Sequence, residues 1–339
     1  MKYLYILVNS KTGFYTEQTY VSMLSLRHVS PDAYITLLVD SETDKSNRNT
    51  FFDSIKQLTN EYKVIELNKD LPAVAKSRFL KTSMRQHIES DFLYVDSDTI
   101  WSNPINDTDF TSDIMGVLDA NCFFENNPIR NYIQTLFKKT GFYPKSNYYF
   151  NGGVMYSKDT PFSHDFFKKW HDKWKESSKS GCFVDQPALN CVIEEMCPLE
   201  KMLLPGEYNA QIAFGWDYFF EAKIIHYFTY SIENELCFEQ PYILKNKSFW
   251  IELSKSGITQ NILKIIENPL LAFAKGISIK SSEEEKFTNT HLYNFIFESY
   301  IKKIRGKNSR FDLLERSIIN FSKIYTLASS TIKNFSHHE

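Results

Sequence analysis

A chain of 339 residues with 39 Lys+Arg against 41 Asp+Glu has a net charge of −2 and no basic excess of the kind that holds nucleic acid. Its 42% hydrophobic and 24% charged residues are ordinary for a globular protein, and no run approaches the roughly 18 apolar residues of a transmembrane helix. The five cysteines (Cys122, Cys182, Cys191, Cys197 and Cys237) are odd in number and lack a C-x-x-C pair, which argues against a disulfide framework or a zinc knuckle. With no basic leader ahead of the first apolar run, the expectation is a cytoplasmic protein.

Tyr3–Val8 is that run, a first strand, followed by the polar loop Asn9–Gly13. Thr16 is placed to cap a helix reaching about His28, and Tyr34–Val39 reads as a second strand ending at Asp40. One polar helix over Asp44–Asn60, a strand at Tyr62–Leu67, a helix over Leu71–Ile88 and a strand at Phe92–Val95 complete the β-α alternation. This alternation predicts a mainly parallel sheet with helices on its faces. No G-x-G-x-x-G follows the first strand and no Walker lysine loop occurs, so dinucleotide and P-loop sites are disfavoured.

The stretch FLYVDSDTIW (Phe92–Trp101) ends a short apolar run in two carboxylates, Asp96 and Asp98. In open α/β sheets the carboxyl ends of strands are where ligands bind. If the strand continued, residues i and i+2 would face one point, and two anions there call for a divalent cation between them. The alternative is a solvated turn.

Pieces become shorter after Trp101: a strand at Asp113–Leu118, a helix at Ile129–Lys139, and a strand at Tyr148–Tyr156 interrupted by Asn151-Gly152-Gly153. Paired glycines inside a strand mark a bulge or a close approach of a ligand to the backbone. Helices follow at Phe162–Ser177 and Asp185–Glu195, the latter opened by Asp185, and a last short strand at Ile224–Phe228 carries His226. Beyond about Leu244 the pattern is helical, with apolar faces at Leu292, Phe295, Ile296 and Tyr300, and at Leu314, Ile318 and Phe321. The expected division is therefore 1–244 and 245–339. The second part is basic, with 15 Lys+Arg against 9 Asp+Glu, which would suit an anionic membrane surface or contacts between copies.

Six separated pieces together resemble the GT-A fold glycosyltransferases of the glycogenin type (family 8), which include bacterial lipopolysaccharide galactosyltransferases. They are YTEQTYVSMLSLR from Tyr15, SRFL with Arg78, VDSDTIW, FNGGVMYS, DQPALN and HYF. The resemblance covers about residues 3–230. It implies a Rossmann-like sheet and a retaining, metal-dependent enzyme that moves sugar from a nucleotide-diphosphate sugar, a UDP-sugar by preference, to a glycan or glycolipid in surface-polysaccharide synthesis. It further implies Asp96, Asp98 and His226 as ligands of Mn²⁺, or of Mg²⁺ were the site all-carboxylate. Donor contacts would come from Val8, Asn9, Tyr15, Arg78, Asp96, Ser97, Gly152 and Gly153. Asn151, Asp185 and Gln186 would lie at the reacting sugar, Gln186 facing the positive charge that builds at the anomeric carbon. Asp119, Trp216 and Tyr218 are weaker candidates for the acceptor.

One departure stands out. The family follows its last His with a Gly and a diphosphate-binding Lys, whereas here HYFTYS continues without a nearby lysine, so that Lys11 in the first loop is the expected substitute. Two rivals remain from the sequence. A haloacid-dehalogenase-type phosphatase also carries hhhhDxDxT, but opens its fold with that motif and needs a later acidic pair. A catalytically silent sugar-nucleotide-binding protein would share the fold.

Overall fold

The structure is a computed structural model that describes residues 1–10, 13–46, 50–228 and 242–273, with isolated residues beyond. One compact unit comprises Met1–Glu235 and Glu239–Ala274; a second comprises Leu236–Phe238 and Lys275–Glu339. The division expected near Leu244 thus falls inside the first unit. The helices expected over 292–304 and 314–325, and Lys11, lie outside the described residues. No helix among the described residues is long and apolar enough to cross a membrane. Cys122, Cys182, Cys191 and Cys197 are free thiols.

Six strands form the main sheet: β1 (Lys2–Leu7), β2 (Tyr34–Asp40), β3 (Glu61–Ile65), β4 (Phe92–Val95), β6 (Ile114–Leu118) and β7 (Phe150–Ser157), in the order β3-β2-β1-β4-β7-β6. The first four are mutually parallel and β7 runs against both β4 and β6. The near-unbroken apolar runs of β1, β2 and β4 are buried on both faces because helices cover both sides. Strand order reverses between β1 and β4, and a crevice opens at such a switch point at the carboxyl ends of the strands. Three short strands, β5 (Thr99–Trp101), β8 (Ala210–Gln211) and β9 (Ile224–His226), form a second sheet in the order β5-β9-β8.

The helices are α1 (Tyr15–Val29), α2 (Ser41–Ser46), α3 (Thr50–Leu58), α4 (Ala73–Ser83), α5 (Arg130–Thr140), α6 (Pro161–Ser178), α7 (Gln186–Met196), α8 (Lys247–Ser256) and α9 (Gln260–Glu267). The single helix expected over Asp44–Asn60 is two, α2 and α3. Thr16 does not cap α1: Phe14 holds the N-cap position, and the Thr16 hydroxyl instead donates to Asn9 Oδ1 at 2.8 Å. Helix α1 has a reason for its unusual polar face. Thr19, Ser22 and Ser25, spaced three apart, hydrogen-bond Ser97 Oγ, Thr99 Oγ1 and the Trp101 amide at 3.0, 2.9 and 3.0 Å. A helical i, i+3, i+6 row thereby meets an extended i, i+2, i+4 row, so the helix grips the segment after Asp96.

Helix α4 is fixed against α6 by aromatic packing. His171 of α6 sits edge-on to Phe79 with ring centroids 4.7 Å apart and stacks on Trp174 at 5.9 Å. Its Nδ1 lies 2.7 Å from Thr82 Oγ1. Phe166, Phe167, Trp170 and Trp174 are buried along the same face of α6, each worth roughly 1.5–3 kcal/mol. Burial lowers the His171 pKa from 6.5 to about 4. The unfolded chain therefore binds the extra proton first, so stability is complete above pH 6.5 and is lost as pH falls towards 4. The urea midpoint is expected to drop across that window in the wild type and to drop less in His171→Gln; equal drops in both proteins contradict the assignment.

Candidate active site

A cavity of about 530 Å³ opens at the switch point, in the range of ligand sites. The end of β1 (Val8, Ser10), the start of α1 (Tyr15), one face of α4 (Ser77, Arg78, Lys81) and the β4–β5 link (Asp96, Ser97, Asp98) all line it. Asn151, Gly153, Asp185, Gln186, His226 and Phe228 close the other side. Of the described residues singled out in the sequence, only Asn9, Gly152 and the acceptor candidates Asp119, Trp216 and Tyr218 are not in this lining. Asn9 is next to it, receiving hydrogen bonds from Thr16 and donating its amide to Thr43. Trp216 is 42% exposed and packs against Phe219 and Phe273.

The two acids are not on a strand. Asp96, Ser97 and Asp98 form the bend that passes from the main sheet to the second one. The bend is tied at both ends, the Asp96 amide donating to Gly153 O at 2.8 Å and the Tyr227 amide to Asp98 O at 3.1 Å. Pairing of Thr99 with His226 across β5 and β9 sets the imidazole beside Asp98, with Nε2 to Oδ1 at 3.3 Å. Atoms of Asp96, Asp98 and His226 able to ligate a metal all lie within 4.8 Å of one another.

The direction in which His226 points follows from a chain of amides. The buried Asp119 carboxylate can only accept; its Oδ1 takes Asn151 Nδ2 at 2.9 Å and Gln186 Nε2 at 3.0 Å, and its Oδ2 takes Asn127 Nδ2 at 3.0 Å. Asn151 Oδ1 therefore faces away, accepting from the Gly153 amide and from Asn209 Nδ2 at 3.1 Å. Asn209 Oδ1 then accepts from His226 Nδ1 at 3.1 Å. A proton assigned to Nδ1 by this network leaves the Nε2 lone pair turned towards Asp98 and the cavity. The fit to a divalent cation rests on this donor set, two carboxylates and one correctly turned imidazole.

Phe228, in the left-handed region at φ 53°, stacks on His226 with ring centroids 3.9 Å apart. Behind the ring is Gly153, where an added Cβ would come within 2.5 Å of His226 Cε1. The glycine expected to clear space for a sugar is thus needed by the imidazole. At Gly152 a Cβ would meet Leu189 and Lys81 only at 3.6 Å. The expected bulge is present: β6 pairing jumps from Gly116–Met155 to Leu118–Phe150.

Positive charge faces the acids from α4. Arg78 Nε lies 3.2 Å from Asp185 Oδ1, and Asp185 first, then Asp96, raise the arginine pKa above its ordinary value. Asp185 precedes α7 without capping it. Its Oδ2 is buried with no hydrogen-bond partner in the structure, an unsatisfied acceptor on a residue that lines the cavity. Lys81, not anticipated from the sequence, places Nζ 3.1 and 3.2 Å from the two Asp96 oxygens. Its signal was its place three residues after Arg78, on one helical face. Tyr94 also donates to Asp96 Oδ1; burial and then Asp96 hold that phenol protonated, well above its usual pKa. Lys245 is the second lysine the sequence did not reveal. Burial lowers its pKa while the charge of Asp98 opposes that shift.

A family model described as nucleotide-diphospho-sugar transferase matches residues 76–248, just over half of the chain. The match takes in Arg78, both acids, Asn151, Asp185, His226 and Lys245. Similar solved structures include galactosyltransferase LgtC in complex with donor and acceptor sugar analogues (16% identity, TM-score 0.48, 78% of this chain and 99% of that one). Another is mouse xyloside xylosyltransferase 1 in its apo form (13% identity, TM-score 0.41, 67% and 97%). No curated protein matches the chain.

Gly153→Ala is expected to lower stability by about 1–3 kcal/mol in urea unfolding, because the ring it meets is pinned on both sides. Gly152→Ala, with ordinary contacts, is expected to cost clearly less. Equal costs would mean that His226 is free to move.

Proposed function

Because the chain belongs to the nucleotide-diphospho-sugar transferase family, a glycosyltransferase family with nucleotide-sugar donors, we propose that it moves a sugar from a UDP-sugar held through a divalent cation. Asp96, Asp98 and His226 would hold the ion, and two carboxylates with one imidazole favour Mn²⁺ over Mg²⁺. When bound, the ion offsets the negative charge that gathers on the departing diphosphate. The carrying observation is the convergence of these three side chains with Arg78, Asp185 and Gln186 on one cavity.

The residues of the chain divide the remaining tasks. Tyr15 and Val8 offer an apolar wall for the base beside the end of β1. Lys81 and Lys245 supply the positive charge that the sequence after His226 lacked. The unpartnered Asp185 Oδ2 accepts a hydroxyl of the donor sugar, and Arg78 keeps that carboxylate in place. Gln186 spends its Nε2 on Asp119, so its carbonyl oxygen, which takes only a long 3.4 Å hydrogen bond from the Gly152 amide, is the end turned to a centre gaining positive charge. Asp119 itself is saturated by amides and acts by orienting Asn151 and Gln186 rather than by touching the acceptor. Stereochemistry would be retained, and the acceptor would be a glycan or glycolipid. The basic residues after Lys245 support contact with an anionic membrane surface.

Membership of the family removes the phosphatase alternative; a silent donor-binding protein on this fold is the second reading, and turnover separates it. Incubation with a panel of nucleotide sugars, with and without Mn²⁺, is expected to release UDP only when the ion is present, and NMR of the product reads the anomeric configuration. Asp98→Asn is expected to reduce kcat by several orders of magnitude with an unchanged circular-dichroism spectrum. Near-normal turnover in that variant defeats the metal assignment, and tight UDP-sugar binding without any turnover in the wild type selects the silent reading.

A further inference from the structure

We propose that Lys81 is a resident counter-cation that occupies Asp96 until the donor diphosphate draws it away, so that metal and donor bind cooperatively. The inference rests on the metal-and-donor reading above and assigns to that site a mode of regulation. Three observations carry it.

First, the ammonium is placed as a competitor. Lys81 is only 4% exposed, and its Nζ bridges both oxygens of Asp96 almost symmetrically, at 3.1 and 3.2 Å. That is the chelating edge a metal would use. Tyr94 adds a further donor on Oδ1, so Asp96 is already engaged on both oxygens. Asp98, the other acid of the triad, has His226 at its side. An arriving cation therefore meets a site carrying one negative charge less than its two carboxylates suggest. It also meets the repulsion of an ammonium in a poorly solvated cleft.

Second, the ammonium has somewhere to go. Lys81 lines the cavity together with Arg78, one turn earlier on α4. Its Cε and Nζ run along Gly152, where a Cβ would sit 3.6 Å from both, so on that side the end of the stem is bordered by backbone alone, with the Tyr94 ring 5.0 Å from Nζ. A four-carbon stem with three rotatable donors can turn from a carboxylate to a phosphate oxygen without moving the helix.

Third, the surroundings do not need Lys81 to hold Asp96 in place. The Asp96 backbone is tied independently, its amide to Gly153 O and its carbonyl to Thr99 Oγ1 at 2.8 Å. A pair built only as a structural prop would be redundant with these. When a diphosphate enters, its charge rewards the move of Lys81, Asp96 becomes free for the metal, and each ligand raises the affinity of the other by the same factor.

The test is Mn²⁺ binding to the full chain, read from the electron paramagnetic resonance signal of free Mn²⁺ with and without UDP. In the wild type, UDP is expected to tighten Mn²⁺ binding at least tenfold. In Lys81→Met, which keeps the apolar stem and removes the charge, Mn²⁺ alone is expected to bind about tenfold tighter than in the wild type, and the UDP effect, corrected for Mn²⁺ held by UDP without protein, is expected to shrink by about the same factor, leaving the part that direct ligation of the ion by the diphosphate supplies. Lys81→Gln, a smaller perturbation should Met destabilise the chain, is expected to move in the same direction; Lys81→Arg is expected to keep weak binding and the coupling. A neutral variant with unchanged or weakened Mn²⁺ affinity overturns the inference, weakening being what a mere prop for Asp96 produces. Should the wild type bind no Mn²⁺ in either condition, the metal reading itself falls and this inference with it. Should it bind Mn²⁺ while the Lys81 variants match it, only the role of Lys81 falls.

Discussion

Two carboxylates on one bend, their side chains only 22% and 21% exposed, are the constraint around which the rest is arranged. Unit charges no more than 4.8 Å apart repel by about 3.5 kcal/mol at an effective dielectric of 20. Both acids stand at the mouth of the switch point, in a cavity that residues of α1 and α4 also line. Positive charge must come to them, and among the described residues it comes from Lys81 and Arg78 on α4 and from Lys245 in the segment before α8, while the second sheet brings the imidazole of His226 with its Nε2 beside Asp98. A nucleotide-sugar transferase gains from this arrangement because the same field that relieves the acids also receives a diphosphate.

Opposite the acids the problem is inverted. There the buried groups are neutral amides that could be turned either way, and the acceptor-only carboxylate of Asp119 removes the ambiguity. It sets Asn151, which sets Asn209, which sets the protonated nitrogen of His226. Every member of this row is buried and satisfied, the condition under which a polar network specifies one arrangement and does not soften the core. The same carboxylate oxygen that starts the row also holds Gln186. Orientation at the cation site and orientation at the sugar therefore share one anchor.

Much of this was legible in the chain. The β-α alternation gave the parallel half of the sheet, the motif order gave the residues that converge, and the glycine pair marked the bulge. What escaped is instructive. Alternation extended past Val95 suggested that Asp96 and Asp98 share a strand face, whereas the chain leaves one sheet there for another. The pattern of β5 contains no trace of that change, since its partner β9 lies more than a hundred residues on. Lys81 was passed over because a lysine on a helix is ordinarily solvated; its burial depends on Asp96, Tyr94 and the missing side chain at Gly152, which meet only in three dimensions. Lys245 was passed over because it stands well beyond HYF, the last of the six motifs. The serine and threonine row of α1 carried no signal in the sequence, and its purpose became visible only against Ser97 and the alternate residues Thr99 and Trp101 of β5.

The second sheet has only three short strands, yet it decides where His226 points. Strand pairing has a period of two, so a slip of one residue between β5 and β9 would turn the imidazole to the opposite face and set Tyr227 or Ile225 against Asp98. Three residues of pairing are too few to forbid such a slip alone. The register is secured from outside the ladder: by the Tyr227 amide on Asp98 O, by the Ser102 amide on Lys223 O at 2.9 Å, and by the hydroxyl row of α1 on the other edge of β5. Ile100, Ile225 and Tyr227 are buried with Trp250 and Leu253 of α8, so a slipped strand would also have to expose apolar surface already covered. Helices α8 and α9 thus belong to the active-site architecture although none of their side chains lines the cavity. They hold the register that brings a histidine from the far end of the domain to within reach of two acids near its middle.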